Sequence, residues 1–237
     1  MLWRADMKTL LQLELKKTRL WPCIFAGLAV VAASLALGGM FLAIGHTSGR
    51  SDPRLSSLAF VLQMAMVILL VGFSLVAAAL CNLVFIEPYT GRNLTLTLSC
   101  PISRERILLA KLVFVGFFTA LSYLAGTAVT LTVLLLVDRL VGSLEKGSPG
   151  CLFRQVLFML VTSLAGLAGL VGIALSLGFW KRSLPIMFGV LLLLDALVGN
   201  LLSLSPLLSA LVLLIIFLTS LPAWWLLHRT LMKIELP

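Results

Sequence analysis

The chain has 237 residues, 61% of them hydrophobic and only 11% charged, with a mean hydropathy of +1.14 and a formal net charge of +9. A soluble domain carries about 25% charged residues, so this composition excludes a water-soluble fold and leaves no length for a separate soluble domain. The basic excess does not point to nucleic acid either: the Lys and Arg residues sit at the ends of apolar runs, where they face the headgroups of a lipid membrane and set topology.

Residues 1–19 are too polar to span a bilayer. Trp3, Met7, Leu10 and Leu11 follow i, i+4, i+7, i+8 spacing while Arg4, Lys8 and Lys16 fall elsewhere, which predicts an amphipathic helix lying in the inner interface, although Glu14 interrupts its apolar stripe. A tail that merely anchors the first span by its charge is the plainer alternative. Pro22, just after Trp21, suits a bend into that span. The charged segment is long and the apolar run that follows exceeds a signal-peptide core, which argues against cleavage.

A bilayer core of about 30 Å takes about 20 apolar residues in a helix, and six stretches qualify, near 20–44, 58–86, 107–136, 155–177, 184–204 and 207–227. The expected fold class is an all-α membrane protein: six transmembrane helices in one domain (20–237), preceded by the interfacial helix (1–19). The second span, about 43 Å long at 1.5 Å per residue, must tilt or project beyond the membrane. Between the last two, SLSP with Pro206 favours a tight turn over one continuous helix.

Lys and Arg assign the sides. Arg4, Lys8, Lys16, Lys17 and Arg19 precede the first span; Arg92, Arg104, Arg106 and Lys111 lie in the 87–111 connection; Lys181 and Arg182 join the fourth and fifth spans; Arg229 and Lys233 follow the sixth. Arg50, Arg54, Arg139, Lys146 and Arg154 fall on the other side, diluted by Asp52, Asp138 and Glu145. The positive-inside rule then puts both termini and the 87–106 segment in the cytoplasm. Of the cysteines, Cys23 and Cys81 lie in apolar runs and Cys100 and Cys151 in connections, with neither metal spacing nor a convincing disulfide pair.

Between the second and third spans the chain reads FIEPYTGRNLTLTLSCPISRERILLAKL. Glu87-Pro88 ends the second span, Gly91 permits a turn, Leu94 and Leu98 share one face of a short helix, and Cys100-Pro101 stops it. Ser103 offers an N-cap for the third span. A short amphipathic helix held between two turns at the membrane surface is suited to push on a partner or be pushed by one; physics alone equally allows a loop helix resting on headgroups.

Pro101, Ile102, Ser103, Arg104 and the later Lys111, after an acidic-glycine segment and a leucine-rich helix, resemble the signature of the ABC-2 type permeases, the membrane subunits of ATP-driven exporters. The six spans, the interfacial N-terminal helix and the basic tail fit the same family. The resemblance implies half of a translocation pathway in the inner (plasma) membrane, paired with a second permease subunit, identical or homologous. It also implies a separate ABC ATPase as partner, contacted through Glu87, Gly91, Leu94, Leu98, Pro101, Ser103, Arg104 and Lys111. The chain has no G-x-x-x-x-G-K-[ST], so it has no phosphate loop of its own. It is expected to bind no cofactor and to be no enzyme by itself; ATP and Mg belong to the partner ATPase.

Asp195, in LLLLDALVGN, is the one acidic residue well inside a predicted span, about 16 Å beyond Leu184. A carboxylate there costs several kcal/mol unless paired, wet or neutralised. It reads either as part of the translocation path or half-pore interface, together with Asn200, or as a protonated acid bonded to a neighbouring helix. Asn82, Ser122, Tyr123, Thr127 and Thr130 read as interhelical hydrogen bonders, and Gly166, Gly169 and Gly172 as a site of close helix approach.

Other functions have weaker signals. An integral membrane enzyme needs a catalytic cluster, and neither H-E-x-x-H nor paired acids at helical spacing occur. An ion-coupled carrier needs more intramembrane charge. A haem-exporter-type permease of cytochrome c maturation is the nearest alternative, and a non-transporting membrane anchor stays open. A pathway lined by Leu, Val, Phe and Ala suits an amphipathic or hydrophobic cargo such as a peptide, antibiotic or lipid.

Overall fold

The computed structural model describes residues 20–48, 57–86, 104–141, 149–181, 184–202 and 211–222. Among these residues the regular structure is helical: α1 (Trp21–Ser48), α2 (Leu58–Cys81) running on into a π-helical turn (Asn82–Ile86), α3 (Arg104–Val141), α4 (Pro149–Lys181) and α5 (Leu184–Leu202). Among the described residues an apolar helical stretch, α6 (Leu211–Pro222), follows. The 1–19 helix, the surface segment 87–103, the SLSP turn and the basic tail all lie outside the described residues.

α1 to α4 are long and apolar enough to cross a membrane, whereas the apolar stretches of α5 and α6 are shorter. Pro22 falls in the first turn of α1, where its missing N–H costs no helical bond. The π-helical turn that follows α2 is described as far as Ile86, and Glu87-Pro88 lies outside the described residues. α3 and α4 differ from expectation, since at 38 and 33 residues they run well past the predicted spans 107–136 and 155–177. Hydropathy stops at Asp138-Arg139 and at Arg154, but backbone hydrogen bonding does not require apolar side chains. A helix of about 57 Å therefore projects beyond, or tilts within, a 30 Å core.

α2 is the axis of the bundle, with 61% of its apolar window buried against 17, 28 and 39% for α1, α3 and α4. It packs against α1, α3, α4 and α5. At mid-height Leu70 and Phe73 of α2 meet Tyr123 of α3, Leu170 of α4 and Leu191 of α5, with the Phe73 and Tyr123 rings edge to face at 5.8 Å. One end is closed by Leu80, Cys81 and Val84 with Phe114, Val115 and Leu175, the other by Leu58, Val61 and Leu62 with Leu42 and Leu134. The outside is the reverse of a soluble protein, with Phe25, Phe117, Phe153 and Leu193 each more than 60% exposed. Such a surface is stable against hydrocarbon and not against water.

Gly166 and Gly169 of α4 allow the close approach that their three-residue spacing predicts, and the helix they admit is α6. A Cβ on Gly169 would sit 3.0 Å from backbone atoms of Ile216 and Phe217, and one on Gly166 would meet the Leu213 side chain. Backbone cannot step aside as a side chain can. Gly169→Ala is therefore expected to destabilise the bundle by about 1 kcal/mol or more despite its better helix propensity. Gly39→Ala, with nothing within 4 Å of the new methyl, should be neutral or stabilising. Unfolding of the two variants in SDS titrations checks the contrast.

Candidate functional site

Among the described residues Ser34 Oγ of α1 donates to Ala65 O of α2 at 3.2 Å, and two further buried junctions tie ionisable side chains of other helices to α2. The first joins its π-helical end to α3. Lys111 Nζ donates to Val84 O at 3.0 Å, and the lysine is only 2% exposed. Burying an ammonium costs several kcal/mol unless it is paired. The C-terminal end of a helix offers what it needs, namely carbonyls without helical donors and a negative partial charge. Asn82 opens the π-helical turn, with its own Oδ1 buried and lacking a hydrogen-bond partner among the described residues.

The second junction joins α2 to α5. Asp195 is 2% exposed, and its Oδ2 lies 2.5 Å from Ser74 Oγ, which is also 2.7 Å from Val71 O. A hydroxyl has one hydrogen to give, so it cannot donate to both acceptors at once. Both contacts are satisfied when the carboxyl supplies the hydrogen to Ser74 Oγ and Ser74 donates to Val71 O. Oδ1 of Asp195 is buried without a hydrogen-bond partner among the described residues.

The sequence-predicted residues thus separate. Glu87, Gly91, Leu94, Leu98, Pro101 and Ser103 lie outside the described residues, and of Arg104 only the helical backbone at the start of α3 is described. Lys111, which the resemblance groups with them, is inside the bundle. Asp195 and Asn200 are not brought together: Asp195 points into the α2 contact, whereas Asn200 is exposed and its Nδ2 donates to Ala196 O of its own helix at 2.9 Å.

Among the predicted interhelical bonders, Tyr123 holds that role, its hydroxyl donating to Ser163 Oγ of α4 at 2.7 Å. Thr127 instead donates to Tyr123 O within α3, and the buried Thr130 hydroxyl has no hydrogen-bond partner among the described residues. A small recess beside the Tyr123–Ser163 pair is lined by Gln63, Met66, Leu70, Met159, Thr162 and Leu213. Among the described residues no group of His, Cys, Asp and Glu could hold a metal ion.

Sequence reasoning missed Ser74 and Asp138. Ser74 is one of many small residues in an apolar run, and only the Asp195 contact distinguishes it. Asp138, 1% exposed in the last turns of α3, reads from hydropathy as a loop residue because it stands beside Arg139 at the end of the run.

A bundle apolar on its outer face, with four helices long and apolar enough to cross a bilayer and with Lys111 and Asp195 buried inside it, is that of an integral membrane protein. Its family follows from a direct match: the chain fits the model of the ABC-2 family transporter proteins over residues 10–194, and belongs to that family. The chain is accordingly a permease of the ABC transporter class, whose function implies association with an ABC ATPase and the membrane. No curated protein and no solved structure matches it.

Proposed function

We propose that this chain is the permease subunit of an ABC exporter, forming half of a translocation pathway across the inner (plasma) membrane. ATP hydrolysis on a separate nucleotide-binding subunit drives it. The observation that carries the reading is family membership over residues 10–194 together with the string Pro101-Ile102-Ser103-Arg104, which leads into α3, and Lys111 within that helix. In this reading the chain crosses the membrane six times with both termini cytoplasmic, α5 and α6 being the last two spans. Residues 87–106 are the cytoplasmic coupling segment, with Leu94 and Leu98 on the face that meets the ATPase.

A second permease subunit, identical or homologous, completes the pathway, and the cargo is amphipathic or hydrophobic. Exposure of Asn200 supports assigning it to the face that meets the path or the second subunit. Burial of Asp195 against Ser74 supports an interhelical role instead. ATP and Mg bind the partner. The purified chain alone should neither bind nor hydrolyse ATP, whereas the complex with its ABC ATPase should do both; nucleotide turnover by the isolated permease overturns the reading.

A further inference from the structure

We infer that Lys111 is a positioning residue of the coupling machinery, an internal clamp that joins the π-helical end of α2 to the start of α3 so that the two helices shift together. The inference rests on the coupling reading above and deepens it. Grouping Lys111 with the ATPase-contacting residues would place it at a docking surface, yet its ammonium is turned inward and 2% exposed.

The chemistry of the chain explains why a lysine is needed there. If α2 continued as an α-helix, the donor to Val84 O would be the backbone N–H of residue 88, which is a proline and has none. A carbonyl left without its helical donor at a buried helix end needs another partner. Lys111, 27 residues further on, supplies it at 3.0 Å. The helix changes to a π-helical turn over this same stretch, a form that occurs mostly as single turns, often at functional sites. Cys81, Val84, Phe114 and Val115 pack around the junction and keep water from competing for the carbonyl.

The bond closes the base of the connection between α2 and α3. A displacement of the segment that joins them then acts on both helices, and α2 in turn packs against α1, α4 and α5. Without the clamp, α3 could yield while the end of α2 stays where it is. The role differs from binding the ATPase, and that difference makes it testable.

Amide hydrogen exchange in Lys111→Met and Lys111→Arg, in the isolated permease and in its complex with the ATPase, separates the possibilities. In the isolated chain Lys111→Met should speed exchange at residues 83–86 by about tenfold, as expected for loss of a charge-assisted bond, and Lys111→Arg, which keeps a cationic donor, should stay near wild type. In the complex, Lys111→Met should still co-purify with the ATPase, but the exchange response of α2 to ATP should disappear while that of α3 remains.

Unchanged exchange at 83–86 in Lys111→Met overturns the clamp. Faster exchange there with the α2 response intact overturns the relay and leaves a merely structural bond. If Lys111→Met does not accumulate, Lys111→Gln, neutral and shorter, is judged by the same two readouts. A wild-type complex whose helices do not respond to ATP at all overturns the coupling reading and with it the relay, while exchange in the isolated chain still decides the clamp.

Discussion

Ser74→Ala should lower the stability of the bundle by about 1–3 kcal/mol, the cost of leaving a buried polar group without its partner. Among the described residues the serine is the hydrogen-bond partner of Asp195 Oδ2, and the other carboxyl oxygen is already buried without one. With Ala at 74, a carboxyl held at 2% exposure in the α2–α5 seam has neither water nor a described protein group to bond. Asp195→Leu should be far milder, because Ser74 keeps its contact to Val71 O at 2.7 Å and an apolar side chain suits the seam. The double variant Ser74→Ala/Asp195→Leu should then recover most of the loss of Ser74→Ala, since replacing both members of a buried polar pair by apolar groups is often close to neutral. SDS unfolding of the four proteins measures the coupling. Strictly additive effects would show that the two side chains do not depend on each other. Asp195→Asn retains both a donor and an acceptor and should fold as wild type; altered transport in that variant would return Asp195 to the translocation path.

The helices were legible in the sequence where apolar length alone decides them. The apolar run that opens at Leu58 places α2, because a continuous stretch of that length and hydropathy suits a buried membrane helix. The ends of α3 and α4 were not legible, since Asp138 and Arg154 stop a hydropathy plot without stopping a helix. Close approach at Gly166 and Gly169 could be read from three-residue spacing, but not that α6 is the neighbour, which depends on how the chain returns after α5. The polar junctions were half visible. Asp195 stands out as an acid among leucines, whereas Ser74, its partner 121 residues away in sequence, looks like any small residue in a transmembrane run. Lys111 was found through a motif and given a surface role. Its buried contact with Val84 O, 27 residues back along the chain, is a relation that no local pattern displays.

Leu98→Glu carries the largest expected effect and tests the central claim, that residues 87–106 engage a separate ABC ATPase. If the face holding Leu94 and Leu98 is seated in the ATPase, Leu98→Glu buries an unpaired carboxylate in a protein interface at a cost of several kcal/mol, enough to weaken the complex by a factor of about a thousand or more. If that face instead rests on lipid headgroups, the same side chain snorkels into water at small cost. Arg104→Ala is the companion variant, separating a cation that pairs with an acidic group on the partner from one that only obeys the charge bias of the inner surface. The deciding measurement is co-purification of the ATPase with Leu98→Glu at unchanged abundance of the permease in the membrane: the coupling reading predicts that the ATPase is lost, and full retention with normal ATP-driven transport would contradict it.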